Sequence, residues 1–489
     1  MKLFRLQGGI HPDTCKILSA EQPIRSLPLP NWLHIPLQQH IGASAKPVVK
    51  VGDRVYKGQV IAVSQGAVSA SIHASTSGEI AAIGNYPAPH PSGLPIFTIT
   101  LKPDGADRWL EQEVPDEPLT LSPEAIAMRV NAAGIVGLGG AAFPSAVKLN
   151  VSRRSQVQTL IINGSECEPY LTGDDRLMRE RTSAVIQGIR LLRHAVGAQD
   201  VLVGIEDNKS QAITAMQFAA MGTEVQVIPI PTLYPMGSEK QLVKVLTGKE
   251  VPANGRLADI SVLVHNVGTA YAVRQAIYLG RPLVTRVVTV SGGAVAKPSN
   301  LEVPIGTLVE ELFRFCGGFR ETPVRLLMGG PMMGIQLPNT QIPVVKGTSG
   351  VLAFTAQEIT GNRISPCIRC ASCLRACPIG LQPLEMVARI RAHDLNGAIR
   401  LGLKDCIACG SCSYVCPAHI PLVHYFNYAK GELAARERIK LKQEATRKLA
   451  EERMERLARL AREREAAAAA RQAAKAAKEK QANVLAEAI

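Results

Sequence analysis

The sequence predicts a multidomain chain of mixed α/β and β structure that ends in a small helical, cysteine-rich domain and a charged tail. Three observations support this fold class. The chain has 489 residues with 46% hydrophobic content, which is more than one core can hold. It contains 41 glycines and 32 prolines but only 4% aromatic residues, which indicates loop-rich structure with tight turns. The hydrophobic period also changes along the chain between that of strands and that of helices.

Residues 1–115 are predicted to form a barrel-sandwich-like β domain. Short β-rich runs alternate with turn signals, for example in residues 46–63 and 72–80. This pattern resembles the hammerhead of biotinyl and lipoyl carrier domains, whose hairpin tip presents a modified lysine. No lysine lies between Ser64 and Gly78. We therefore interpret this domain as structural or docking rather than as a carrier.

Residues 120–283 are predicted to form an α/β domain with a mostly parallel sheet covered by helices. Its strands and helices alternate as in βαβ units. The predicted strands are Val157–Asn163, Val201–Ile205, Val225–Ile230 and Ile260–Val264. Ligands of such sheets bind at the carboxyl ends of the strands. A β-grasp-type module is predicted for residues 284–350, with short strands and one helix at Thr307–Cys316.

Eight of the eleven cysteines lie in two groups with identical spacing within the region 360–428. The first group is Cys367, Cys370, Cys373 and Cys377, and the second is Cys406, Cys409, Cys412 and Cys416. A proline follows the last cysteine of each group. In two-cluster ferredoxins the first three cysteines of such a group hold one 4Fe-4S cluster, and the fourth reaches the other cluster. The segment between the groups has helical periodicity, so the fold around the clusters is predicted to be mainly helical.

The spacing therefore predicts crosswise ligation of two clusters. Cluster 1 takes Cys367, Cys370, Cys373 and Cys416, whereas cluster 2 takes Cys377, Cys406, Cys409 and Cys412. A pair of zinc sites is the alternative. Zinc needs four ligands in two pairs, and not two repeated quartets that each end in Cys-Pro.

Two loops in the α/β domain have the composition of a nucleotide site. The glycine-rich loop Gly134–Pro144 lets backbone amides approach a phosphate, and Lys148 follows one helical turn into the next helix. Tight turning for purely structural reasons is the alternative. The segment Ile162–Asp175 leaves a strand and contains four acids within ten residues, which suit ribose hydroxyls or a nicotinamide amide. Together the loops predict a flavin site with a dinucleotide site beside it, and solvation at the surface remains the plain alternative for the acids.

These motifs, together with residues 234–241 and 265–269, resemble the RnfC family, the electron-input subunits of Rnf ion-translocating oxidoreductases. The resemblance covers nearly the whole chain except the tail, and it implies an SLBB-like module at residues 284–350. The middle of the chain is also similar to the flavin-bearing NADH subunit of respiratory complex I. These resemblances imply non-covalent FMN on the glycine loop, with NADH stacked on the flavin as substrate.

The resemblance also implies site residues. Those expected to hold FMN are Gly137, Gly139, Gly140, Lys148, Asn163, Asn266 and Thr269. Those expected to line the nicotinamide side are Glu166, Glu168 and Glu239. No side chain is expected to act as a catalytic acid or base, because the flavin carries the chemistry.

The predicted function is electron input to a membrane complex: NADH to FMN, then to two 4Fe-4S clusters, then to partner subunits that include a ferredoxin-like one. The resemblance implies coupling of electron flow between NADH and ferredoxin to ion translocation. A passive two-cluster relay, whose α/β domain only docks partners, is the alternative. A nucleic-acid binder that uses the basic tail is disfavoured, because the chain lacks aromatic interleaving and any base-reading motif.

The composition indicates where the chain works. No run of 18 apolar residues occurs and residues 1–10 lack a secretory signal, so we expect neither a membrane span nor export by that route. The net charge of +14 suggests an anionic partner. Residues 430–489 contribute +6 of it, from 16 Lys and Arg against 10 Asp and Glu, and should form a solvated helix or a partly disordered tail. We expect a peripheral protein at the cytoplasmic face of the inner membrane, held there by partners or by this tail.

Overall fold

The computed structural model describes residues 3–90, 92–253, 255–359 and 363–486. Side chains are described for these residues except 152–154 and 484–486. The chain divides into two compact units, Met1–Val423 and His424–Ile489. The first unit contains all the regions to which the sequence assigns chemistry.

The N-terminal region is an antiparallel β-sandwich, as predicted. Its seven strands are β2 (Leu33–Pro36), β3 (Lys46–Pro47), β4 (Arg54–Val55), β5 (Val60–Val63), β6 (Ile72–His73), β7 (Gly78–Pro87) and β8 (Pro95–Pro103), and a preceding strand, β1 (Ile24–Ser26), lies outside the sandwich. One sheet has the order β2-β8-β7-β4 and the other β3-β5-β6. Isoleucines from both sheets, among them Ile35, Ile61 and Ile99, form a buried core between them. Alternating burial along β2 and β7 explains why these runs form strands.

The α/β region has the predicted parallel sheet. Its strands are β9 (Thr159–Asn163), β10 (Asp200–Glu206), β11 (Val225–Ile230) and β12 (Val262–Asn266), in the order β11-β10-β9-β12. Its helices are α1 (Pro123–Ala132), α2 (Ser145–Arg154), α3 (Gly173–Glu180), α4 (Thr182–Val196), α5 (Ser210–Ala220), α6 (Glu239–Thr247) and α7 (Val267–Leu279). Strand β9 is buried on both faces, because Leu160 and Ile162 enter one core and Ile161 enters another.

The next region is a six-stranded mixed sheet with one helix. It contains β13 (Thr285–Ser291), β14 (Ser299–Pro304), α8 (Val309–Phe315), β15 (Arg325–Met328), β16 (Ile335–Gln336) and β17 (Gly350–Phe354). The sheet order is β1-β14-β13-β17-β15-β16. Two features differ from the predicted boundaries. Strand β1 pairs in parallel with β14 instead of joining the β-sandwich, and β17 extends past residue 350.

The cysteine region is mainly helical, as predicted from the periodicity between the quartets. Its helices are α9 (Ser372–Ala376), α10 (Pro383–Arg391), α11 (Leu395–Arg400) and α12 (Ser411–Tyr414). Helices α9 and α12 start just after the second cysteine of each quartet. They therefore occupy equivalent places in the duplicated motif.

The second unit is formed by a single long helix, α13 (Leu422–Ala486), which begins at the end of the first unit. Its side chains are exposed from residue 437 onward as far as they are described. Lysines and arginines pair with glutamates one turn away, as in Arg447 with Glu451 at 3.3 Å. Such pairs support an exposed helix by a few tenths of a kcal/mol each, roughly 0.2–0.5. Among the helices that the structure describes, none is both long and apolar enough for a membrane span.

Candidate functional site

The glycine-rich loop between α1 and α2 forms a tight, exposed backbone turn. The Gly137 N–H donates to the Phe143 carbonyl at 2.7 Å, and the Ser145 N–H donates to the Ile135 carbonyl at 3.0 Å. Gly140 has a φ of +112°, which favours glycine, and no other group lies within 4 Å of where its Cβ would be. The backbone at the top of this loop is thus open, and it leads directly into the N-terminus of α2.

The loop is fixed to the carboxyl end of the sheet by side chains. Thr269 Oγ1 accepts a hydrogen bond from the Leu138 N–H at 2.9 Å. Arg286 donates to the Leu138 carbonyl at 2.8 Å. A Cβ on Gly139 would lie 3.4 Å from the Cβ of Asn266. The loop therefore lies directly against the end of β12.

Asn163 and Asn266 end neighbouring parallel strands and are register partners. The Asn163 amide donates to the Gly237 carbonyl at 2.8 Å. The Asn266 side chain caps α7 by accepting from the Gly268 N–H at 2.8 Å, and it donates to Asp174 at 2.6 Å. Both asparagines are held in fixed orientations at the strand ends, where the sequence predicted a ligand site.

Lys148 and Glu239 meet across this strand edge. Lys148 Nζ lies 3.2 Å from Glu239 Oε2 and also donates to the Val264 carbonyl at 3.3 Å. The Glu239 side chain is 50% exposed. His265 lies beside them in β12; burial and the charge of Lys148 lower its pKa to about 3, so it is neutral. Its Nε2 is buried and has no hydrogen-bond partner among the residues that the structure describes.

The two other predicted nicotinamide-side carboxylates already accept backbone hydrogen bonds. Glu166 accepts from the Asp174 and Asp175 N–H groups, at 2.7 and 3.1 Å, at the start of α3. Glu168 accepts from the Met332 and Met333 N–H groups, at 3.0 and 2.9 Å. Burial raises the pKa of each carboxyl to about 7. Of the three predicted carboxylates, that of Glu239 is the one that lies next to Lys148.

Sequence reasoning did not single out several residues that shape this site. Lys16 donates to the carbonyls of Glu166, Glu168 and Leu171 and so fixes the acidic loop from the N-terminal segment. Arg286 fixes the glycine loop from the six-stranded sheet. Neither lies in a motif, and both act over more than a hundred residues. A local pattern could not have revealed them.

The two cysteine quartets repeat the same local backbone. Arg369 and Ala408 each have a φ of +55°, and each donates its N–H to the sulfur two residues earlier, at 3.3 and 3.4 Å. Cys370 and Cys409 each lie 3.4 Å from the hydroxyl of the serine two residues later. The identical spacing therefore folds into two copies of one hook.

Two observations place cysteines of different quartets close to each other. Cys367, Cys370, Cys373 and Cys416 line one small cavity. Burial and the neighbouring Cys409 and Cys406 thiols, with further contributions from Cys377 and Cys373, raise the pKa of Cys412 to about 12. The fourth cysteine of each quartet is thus next to the other quartet. Within the described residues, no three His, Cys, Asp or Glu side chains form a site for a single metal ion.

Curated relatives match this chain over most of its length. It is 54% identical over 439 residues to a component of the ion-translocating oxidoreductase complex of Rhodobacter capsulatus, covering 89% of this chain and 85% of the relative. The chain belongs to the RnfC family. It is also 47% identical to a component of the proton-translocating ferredoxin:NAD(+) oxidoreductase complex of Clostridium ljungdahlii, covering 90% of this chain and 96% of the relative.

Four family models divide this RnfC chain as the fold does. They describe an RnfC barrel sandwich hybrid domain (residues 4–106), a Nuo51 FMN-binding domain (130–275), an SLBB domain (287–336) and a 4Fe-4S dicluster domain (362–417). The chain therefore carries FMN and 4Fe-4S clusters, as predicted. An NAD⁺-reducing [NiFe]-hydrogenase structure aligns over 65% of this chain and 62% of its own, with 20% identity and a TM-score of 0.46.

The residues present fit both groups. The open backbone at Gly140 in the loop that leads to α2 suits a phosphate, and His265 in β12 has a buried Nε2 without a partner among the described residues. Four thiols around one cavity suit a cubane cluster, because its cysteines surround the cluster rather than meet at one ion.

Proposed function

We propose that this chain is the peripheral electron-input subunit of a membrane-bound complex that couples electron transfer between NADH and ferredoxin to ion translocation. The names of its relatives describe such complexes. In this proposal, electrons pass from NADH to FMN, then to the two 4Fe-4S clusters, and then to partner subunits. The proposed activity of the chain itself is NADH oxidation.

One observation carries the proposal. The exposed glycine loop, the paired asparagines Asn163 and Asn266, and the Lys148–Glu239 pair converge at the carboxyl edge of a parallel sheet. This edge is where α/β sheets bind nucleotides. It belongs to the same compact unit as both cysteine quartets. A nucleotide site and two cluster sites in one unit suit a chain that changes a two-electron donor into single electrons.

FMN, when bound, accepts hydride and releases single electrons. The protein supplies binding and orientation. The loop amides and the Lys148 ammonium hold the phosphate, because both present positive charge at the start of α2. Thr269 and Asn266 keep the loop in place through the contacts described above. The proposed FMN residues are Gly137, Gly139, Gly140, Lys148, Asn163, Asn266 and Thr269.

The nicotinamide side is proposed to be lined by Glu166, Glu168 and Glu239. Glu239 is the best placed of the three, because its side chain is half exposed next to Lys148. The other two carboxylates order the acidic loop beside the proposed dinucleotide site. Glu166 does so by fixing the start of α3, and Glu168 by fixing the segment at Met332. Their contribution is therefore to shape the site.

The proposed cluster ligands follow the crossed arrangement. Cluster 1 is held by Cys367, Cys370, Cys373 and Cys416, and cluster 2 by Cys377, Cys406, Cys409 and Cys412. The shared cavity of the first set and the proximity of Cys377 to Cys412 support this assignment. Because each quartet contributes to both clusters, loss of one cluster also loosens the segment that holds the other.

The proposed partners are the other subunits of the complex, including a ferredoxin-like subunit, at the cytoplasmic face of the inner membrane. Attachment through these partners or through the charged tail accounts for a peripheral protein. No nucleic-acid partner is proposed.

The test begins with anaerobically purified protein. It should contain one FMN and about eight iron and eight sulfide atoms per chain. NADH should then reduce ferricyanide through it. Iron-loaded protein that binds no FMN and reduces no acceptor with NADH would remove the dehydrogenase function.

A matched glycine pair tests the FMN loop. Gly140 and Gly197 both have positive φ, and a Cβ at either position would have no other group within 4 Å. Gly140→Ala should lower FMN content by stiffening the loop, whereas Gly197→Ala at the end of α4 should leave it unchanged. Each costs about 1–2 kcal/mol of backbone strain, so equal FMN contents would contradict the assignment.

The second candidate is a passive two-cluster relay. It is favoured by the backbone hydrogen bonds that already occupy Glu166 and Glu168. A relay predicts full cluster content, reduction by an external low-potential donor, and no reduction by NADH. The measurements above separate it from the dehydrogenase.

A further inference from the structure

We propose that electrons enter at cluster 2 and leave the chain at cluster 1, through a basic face that fits an acidic redox partner. This inference rests on the proposed function. It concerns the order of the two clusters and the surface where the path ends, which the duplicated sequence motif leaves open.

The second quartet packs against the flavin-binding region. The hydroxyl of Tyr234, in the loop between β11 and α6, donates to the Cys409 carbonyl at 2.7 Å and is buried. Gly237, the acceptor for Asn163, lies three residues further along that loop. Ile10, Tyr234, Ala376 and Cys409 form one buried apolar cluster, against which Cys167 is packed. Cluster 2 is therefore joined to the proposed nicotinamide loop by continuous packing.

A second connection leads to the same cluster. Glu168 accepts from the Met332 N–H, and the Met332 carbonyl would lie 3.0 Å from a Cβ at Gly410. Gly410 separates the second and third cysteines of the second quartet. A short chain of contacts thus runs from the acidic loop through Met332 to cluster 2.

The first quartet has the opposite environment. Cys367 and Cys370 are exposed, whereas Cys409 and Cys412 at equivalent or neighbouring positions are 8% exposed. Ile368, between the two exposed cysteines, is 69% exposed. An exposed cluster edge shortens the distance to an external acceptor.

The segment of the exposed quartet, residues 363–384, carries only positive charge, and exposed Glu385 follows it. Arg363, Arg369 and Arg375 are exposed, and no acidic residue occurs between positions 363 and 384. Around the second quartet, Lys404 is offset by Asp405. Three arginines beside exposed apolar side chains form a surface complementary to a redox protein with an acidic face. That is the partner to which the inference commits.

The electron count is balanced. Each NADH oxidised gives NAD⁺, one proton and two electrons. The two electrons pass singly to cluster 2 and then to cluster 1, and the partner takes up both, so each cluster returns to its oxidised state after every transfer.

The first experiment uses Cys370→Ala and Cys409→Ala, which occupy equivalent positions in the two hooks. Electron paramagnetic resonance after dithionite reduction identifies the cluster that remains in each variant. NADH should reduce the remaining cluster in Cys370→Ala, whereas in Cys409→Ala it should reduce the remaining cluster at least tenfold more slowly. The reverse pattern would overturn the proposed order.

The second experiment uses the wild-type holoprotein and does not depend on variants that assemble. Brief treatment with an iron chelator is followed by alkylation of freed thiols and peptide mapping. Cys367, Cys370, Cys373 and Cys416 should be alkylated first, as one group. Earlier labelling of Cys409 and Cys412 would contradict the exposed position of cluster 1.

The third experiment probes the basic face with small oxidants of opposite charge. Reoxidation of dithionite-reduced protein by ferricyanide should slow about tenfold in the double variant Arg369→Glu/Arg375→Glu, and reoxidation by hexaammineruthenium(III) should accelerate. Lys404→Glu, which makes half of that charge change beside the other quartet, is the control and should change neither rate appreciably. If Lys404→Glu changed the two rates as much as the double variant does, the proposed exit of electrons at the basic face would be wrong.

The outcomes of the second and third experiments do not depend on NADH oxidation. If the dehydrogenase function fails, NADH reduces neither cluster in any variant. The mapping and the oxidant rates still decide which cluster is exposed and which face is basic, because both start from dithionite or from untreated protein.

Discussion

The two cysteine quartets have the same backbone but different surroundings. In each hook, residues at equivalent positions have a positive φ, and a backbone N–H donates a hydrogen bond to the sulfur of the first cysteine. The second is packed between Tyr234 and Met332, and the first is exposed on a basic surface. Spacing therefore determines the local chemistry of a cluster, and tertiary contacts determine its place in an electron path.

The largest effect is expected at Gly8 in the N-terminal segment. Gly8 lies against the backbone of Cys377, the cysteine of the first quartet that is proposed to bind cluster 2. Gly8 has a φ of +67°, and a Cβ there would lie 2.5 Å from the Cys377 carbonyl oxygen. Gly8→Ala should destabilise the region by about 3 kcal/mol, because the backbone must shift as well as adopt a strained φ. The urea midpoint for loss of visible cluster absorbance measures this.

Gly66 is the control for Gly8. It has the same φ of +67° but no other group within 4 Å of its Cβ position. Gly66→Ala should cost only the strain, about 1 kcal/mol, and leave the clusters unaffected. Equal midpoints for both variants would show that the N-terminal segment does not support cluster 2.

A smaller effect is expected at the residue that directly follows the second cysteine of each hook. The first hook has Ala371 there, at φ +60°, and the second has Gly410, at φ +80°. A Cβ on Gly410 would lie 3.0 Å from the Met332 carbonyl oxygen. Gly410→Ala should therefore lower the unfolding free energy by about 2 kcal/mol.

The reciprocal change, Ala371→Gly, relieves backbone strain at the exposed hook and should stabilise it or leave it unchanged. Chemical denaturation of both variants, followed by cluster absorbance, compares the two hooks directly. If Gly410→Ala were neutral, the contact with Met332 would be unimportant.

Tyr234→Phe should produce the next smaller effect. It removes the hydrogen bond to the Cys409 carbonyl and leaves that buried acceptor without its donor, a loss of about 1–2 kcal/mol. Tyr414→Phe, at a side chain that is 55% exposed on α12, should change stability by less than about 0.5 kcal/mol. Thermal loss of the cluster signals measures both, and similar shifts would contradict a specific role for Tyr234.

The last prediction concerns pH. Burial raises the pKa of Glu168 to about 7 from an ordinary 4.5. Between these values the unfolded chain has lost the proton and the folded chain retains it, so this carboxyl lowers stability as pH rises from about 4.5 to 7. Glu168→Gln should flatten that decline. Stability measured across this range checks it, and an unchanged slope would show that the Glu168–Met332 contact does not titrate.

The sequence predicted the features that depend on short spacing or on periodicity. The parallel strands, the helical cysteine region and the FMN and 4Fe-4S cofactors are confirmed by the fold and by the family models. The crossing of Cys416 and Cys377 is supported by their positions and stays a prediction until it is tested. Each of these features is encoded within a few tens of residues.

What the sequence did not predict depends on contacts between distant segments. The carboxylate of Glu168, whose place on the nicotinamide side stays a prediction, binds the backbone at Met332 and Met333, more than 160 residues away. Lys16 fixes the acidic loop from the N-terminus. Strand β1 joins the six-stranded sheet through Asn300. Such pairings leave no local pattern, because each partner looks like an ordinary surface residue in its own segment.

The attachment of the N-terminal segment has a consequence for biosynthesis. Ile24 pairs with Asn300, and the Gly9 N–H donates to the Ala376 carbonyl, so Ile24 and Gly9 meet these partners only after 276 and 367 further residues have been synthesised. Contacts of such high sequence separation form late and slowly. These two contacts are therefore expected among the later ones to form during folding.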